Sequence, residues 1–174
     1  MRSRLLTVAV FAGAITGLCA PQALSVPSVL GQQDTVFITM AHQSNLAEIA
    51  AGQDAQKNAT TSCVKEVGAT LVRDHKKLDA SLSTLAKNES VPLPTAPSAE
   101  QQATLKSVQA KAGTPDYDKA WLTAQEAGHK KALALIDEEI SKGQAASVIA
   151  AARGARPVVA MHLEMVKGGT CHSM

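Results

Sequence analysis

The sequence predicts an all-α protein, a ferritin-like four-helix bundle with a long crossover, carrying a short extra helix, between its second and third long helices. Three observations lead there. No segment alternates with period two, whereas small and apolar residues recur every three or four positions along four stretches of about 24 to 28 residues. Two connections between these stretches are short and one is long. Finally, Cys63 and Cys171 stand where only one winding of the chain brings them together.

Residues 26–31 read as a short extended leader. The first long helix is expected from about Gln33 to Lys57, and Thr60, Thr61 and Ser62 offer cap oxygens for a second that continues to about Lys87. Residues 90–97 contain Pro92, Pro94 and Pro97 and cannot be helical. Ser98 with Gln101 makes a capping-box pattern that opens a short helix ending at Gly113. Thr114 as N-cap and Pro115 at the first helical position start the third long helix, which Gly143 stops. The fourth takes roughly Gln144 to Lys167, with Pro157 expected to kink it. The bundle therefore spans residues 32–168, and 169–174 form a tail.

The cysteines choose the winding. Cys63 begins the second helix and Cys171 follows the end of the fourth. In up-down-up-down winding those points lie at opposite ends, some ~35 Å apart, far beyond the ~7 Å Cα limit of a disulfide. A crossover of about 25 residues is long enough to travel the bundle and bring them to one end.

The N-terminus has the form of a secretion signal, residues 1–25. Arg2 and Arg4 precede an apolar run from Leu5 to Leu18, too short to span a bilayer, and Ala23-Leu24-Ser25 offers a cleavage site. Cys19 raises lipidation, but Gly17-Leu18 before it fits a lipobox poorly. Cleavage would take two of the 17 basic residues and none of the 15 acidic ones, leaving a neutral chain. Aromatic residues make up only 2% and no Lys/Arg-rich block occurs, which argues against nucleic acid as a partner. No later apolar run reaches transmembrane length. The expectation is export to the periplasm, cell envelope or exterior, where paired cysteines oxidise. An envelope protein or a second copy of the chain would be the partner.

Each long helix also places a polar side chain on its core-facing line. Asn45 and Glu48 fall there on the first, His75 on the second, Gln125 and His129 on the third, and His162 on the fourth. Counted from the disulfide end, Glu48, Asn45, His75 and His129 lie ~15–20 Å deep, and His162 ~8–13 Å. Glu48, His75, His129 and His162 are therefore candidate ligands of one Zn, Cu or Fe ion, with Asn45, Asp74 and Gln125 supporting them and His42 flanking. The alternative is a purely structural polar network fixing helix register, in an envelope interaction or stress module. Tyr117 and Trp121 read as packing, and Asp137, Glu138 and Glu139 with Lys130 and Lys131 as a solvated face. No catalytic residue is identified: the chain has no phosphate-binding glycine loop, no placed nucleophile and no HExxH.

Several separated motifs resemble one family. Asn45-Leu-Ala-Glu48-Ile, Val64-Lys65 leading to Leu71-Val-Arg-Asp74-His75, Tyr117-Asp118, His129, and Pro157 followed by His162 are similar to the bacterial exported domain-of-unknown-function family 4142. The resemblance covers about residues 32–168 and implies a ferritin-like bundle and export, with no assigned activity. Its members are often labelled outer membrane proteins, although nothing here reads as barrel strands. Di-iron bundles carry paired Glu-x-x-His motifs, but Val72 and Val159 stand three residues before His75 and His162. Too few carboxylates remain for a ferroxidase centre.

Overall fold

The computed structural model describes residues 30–172. The expected signal segment with Cys19, most of the leader and the last two residues lie outside that range. Among the described residues every regular element is helical: α1 (Gln32–Asn58), α2 (Ser62–Asn88), α3 (Ala99–Gln109), α4 (Pro115–Lys142) and α5 (Ala146–Val166), then one 3-10 turn at Lys167–Gly169. None of these helices is long and apolar enough to cross a membrane.

The start signals work as their chemistry predicts. Thr61 caps α2 through Val64 N–H, Ser98 and Gln101 form the reciprocal box on α3, and Pro115 opens α4. Two boundaries move for identifiable reasons. The fourth long helix begins at Ala146 because the N–H groups of Gln144 and Ala145 donate to Asp34 Oδ1, at 2.9 and 3.1 Å. The short helix stops at Gln109, and the chain turns through Ala110–Gly113, where Gly113 takes φ +73°. Pro157 lies within α5 on an exposed face, so the carbonyl it leaves unbonded can reach water.

α1 packs on α2 and α4, α5 packs on α4 and α2, and α3 lies across α1 and α4. The Cys63–Cys171 disulfide, with Cα atoms 6.2 Å apart, joins the start of α2 to the end of α5. Those two helices are therefore antiparallel and α4 runs parallel to α2, the winding that the long crossover allows. α1 and α2 approach closely at Gly52 and Gly68: a Cβ on Gly52 would lie 2.5 Å from the Gly68 carbonyl oxygen, so no larger residue fits.

Two apolar clusters fill the bundle. Val64, Val67, Leu71, Trp121, Leu122 and Val166 pack towards the disulfide end, and Phe37, Ile38, Leu82, Ile136, Val148 and Val159 towards the other. Each fully buried side chain of this size contributes roughly 1.5–3 kcal/mol relative to exposure. Leu71 and Leu78 bracket His75, and Val159 and Met165 bracket His162, so the histidines form a layer between the clusters.

Two expectations fail. His42 does not support the histidine layer; its ring bonds Asp79 at 2.7 Å and the Pro94 carbonyl at 2.9 Å, pinning the crossover to α1. Glu139 is not on a solvated face but fully buried, and burial with the neighbouring Asp34 carboxylate pushes its pKa up to about 7. Asp137 and Glu138 are indeed at the surface, paired with Arg156 and Lys142.

Candidate metal centre

His75 from α2, His129 from α4 and His162 from α5 meet at the middle of the bundle, each no more than 2% exposed. Their ring centroids form a near-equilateral triangle with sides of 5.8, 5.1 and 5.5 Å. One ring nitrogen from each lies within 4.8 Å of the other two. His162 thus comes level with its partners, although residue counting places it one or two turns higher.

The outward nitrogens are all held by acceptors. His75 Nδ1 donates to Asn45 Oδ1 at 2.9 Å, His129 Nδ1 to the Gln125 backbone carbonyl at 2.8 Å, and His162 Nε2 to Asp74 Oδ2 at 3.2 Å. Arg73 holds Asp74 in turn, at 2.8 and 2.9 Å, and with His162 keeps that carboxyl down at about 2. A carbonyl or carboxylate can only accept, so each imidazole carries its proton on the outward nitrogen. The remaining atoms, His75 Nε2, His129 Nε2 and His162 Nδ1, are lone pairs, buried and without a partner.

The electrostatics agree. Burial, followed by the other two rings, pushes His75 down to about 2, and burial lowers His162 to about 4 despite Asp74. These two rings are neutral at pH 7, the form that binds metal. An unsatisfied buried polar atom costs about 1–3 kcal/mol, and this layer holds three facing one point.

Glu48, the fourth candidate ligand, is not in that group. It is 8% exposed, and one carboxylate oxygen lies 3.2 Å from where a Cβ on Gly128 would stand. Burial raises its pKa and the nearby His129 partly offsets this. Of the three expected supporting residues, Asn45 and Asp74 act through their side chains and Gln125 through its backbone.

The family model for a domain of unknown function, DUF4142, matches residues 19–168. The chain belongs to the DUF4142 family. No curated protein matches this DUF4142 chain. Among solved structures it is similar to a DUF305 fragment from Deinococcus radiodurans, at 11% identity and a TM-score of 0.70, over 80% of this chain and 95% of that one. At that identity the likeness speaks for the helical fold alone.

A second polar layer escaped the sequence reading. Asp118 accepts from the N–H and hydroxyl groups of both Thr60 and Thr61, at 2.6 to 3.0 Å. Asp54 accepts from Asn58 at 2.9 Å, from Gln109 at 2.9 Å and from Tyr117 at 2.6 Å. Only the Tyr117-Asp118 pair, singled out as a motif, signalled it.

Proposed function

We propose that this DUF4142 bundle is an exported protein that binds one transition-metal ion through His75 Nε2, His129 Nε2 and His162 Nδ1. The observation that carries this reading is the convergence of three buried, partnerless lone pairs, each on a ring whose other nitrogen is clamped by an acceptor. That arrangement is how metal-ligating histidines are held in tautomer and orientation. A tetrahedral ion with bonds near 2 Å would draw the nitrogens to about 3.3 Å, a short way from their present separation.

Three imidazoles without a thiolate suit Zn, Cu or Fe. Three protein ligands would leave a position for water or a small anion, whose acidity the ion would raise. The reading is metal binding, not catalysis. Export is supported by the signal-like N-terminus and by the disulfide, which belongs to oxidising compartments.

The test is elemental analysis of protein made without a histidine tag, after incubation with Zn, Cu or Fe and gel filtration. About one ion per chain is expected, with a chelator-sensitive melting temperature, and His75→Gln with His162→Gln should lose it. Substoichiometric metal in every case, together with melting unchanged by chelation, would overturn the reading.

A further inference from the structure

A cleft of about 270 Å3 opens between α1, α3 and α4, separate from the histidine layer: none of the three imidazoles lines it. Its walls are largely apolar, from Met40 and Ala47 on α1, Leu105 on α3, and Trp121, Ala124 and Leu135 on α4. Two polar atoms on lining residues stand out. Glu48 Oε2 and Gln125 Oε1 are buried and have no hydrogen-bond partner, and their residues are only 8% and 5% exposed.

The amide oxygen and the ionised carboxyl are acceptors, and the Trp121 and Lys131 donors of the lining are already engaged. The Trp121 indole N–H donates to the Ala51 carbonyl at 2.9 Å. The backbone N–H groups of Ser98 and Gln101 are used in the α3 cap, and Lys131 pairs with Glu100 at 2.6 Å. The complement of such a cleft is a molecule with an apolar body and N–H donors bearing positive charge. A carboxylate or phosphate ligand would disfavour the ionised form of Glu48 and face a second acceptor in Gln125 Oε1.

We infer that this cleft is a binding site for a small organic cation, a primary ammonium on an apolar body, held by Glu48 and Gln125 and packed against Trp121. The ammonium has the donors for both oxygens; burial raises the Glu48 pKa, and a bound cation favours the ionised carboxylate and makes the bond charge-assisted. The hydrocarbon part replaces water over the apolar wall. This site is distinct from the proposed metal site, and either can fail without the other.

Trp121 is the only tryptophan, so its fluorescence reports on the cleft. The experiment titrates the purified, chelator-treated mature protein with phenethylammonium, 2-phenylethanol and 3-phenylpropionate, by Trp121 emission and calorimetry. Saturable binding of the amine is expected, with the alcohol about tenfold weaker or worse and the carboxylate silent. Glu48→Gln should lose about tenfold or more in amine affinity. Ala127→Leu fills the cleft from an exposed lining position and should abolish binding without touching the carboxylate. It decides the matter if the Glu48 variant does not fold. No saturation at millimolar amine, equal binding of amine and alcohol, or an amine affinity unmoved by Ala127→Leu would each overturn the proposal and leave the two oxygens to water.

Discussion

At the disulfide end of the bundle, Asp118 and Asp54 are 8% exposed and their carboxylates take up the hydroxyl and N–H groups that surround them. Halfway down, His75, His129 and His162 are buried still more deeply, yet each keeps one nitrogen without a partner. Both layers are polar islands in the same apolar bundle. A network that exists to fix helices together closes its own hydrogen bonds, because open ones cost stability. The histidine layer closes only its outer half. That difference separates framework from candidate site.

The comparison can be broken most strongly with acid. His162 falls from 6.5 to about 4, and His75 falls further. Unfolding releases these rings to take up protons, so stability is fully present above pH 6.5 and lost as pH falls towards 4. Metal-free protein should lose on the order of 3 kcal/mol per imidazole over that window. Urea unfolding at stepped pH would read it, with His162→Gln as the reference. Equal slopes for the two proteins would show that the rings are not held neutral by burial.

Next in size is the covalent closure of the framework end. Replacing Cys63 and Cys171 by Ser releases a loop of sequence separation 108 and should cost about 4–5 kcal/mol in the chain-entropy account. Asp118→Ala should cost about 3 kcal/mol, since the Thr60 and Thr61 N–H groups lose their acceptor. Metal content should stay unchanged in that variant; loss of metal without unfolding would mean that the two layers are coupled. The smallest effect lies outside both. Ser90 takes φ +58° at the end of α2, where Val91 N–H bonds the Ala86 carbonyl at 2.8 Å. Ser90→Gly should add about 0.5–1 kcal/mol by thermal melting, leaving acid sensitivity as it was.

Much of this was legible in the chain. Helix punctuation such as Ser98 with Gln101, or Thr114-Pro115, acts locally and so reads directly from sequence. The histidines were found because spacing of three and four residues fixes a face; 1.5 Å per residue set the depth of His75 and His129 but placed His162 too high. Glu48 shows where that method stops. It shares a helical line with Asn45, yet Asn45 meets His75 while Glu48 lines the α1–α4 cleft, a difference set by helix rotation. Glu139 shows the same limit from the other side. It sits among charged neighbours in sequence, and only the approach of Asp34, more than a hundred positions away, encloses it.

Cys171 follows His162 by nine positions. A slip of α5 by a single turn would carry that imidazole about 5.4 Å along the bundle, past the reach of the other two. The sulfur clasp opposes such sliding, so the alignment of the three rings is linked to oxidation of the thiols. A reduced chain would have to find by packing alone the register that the oxidised chain has fixed.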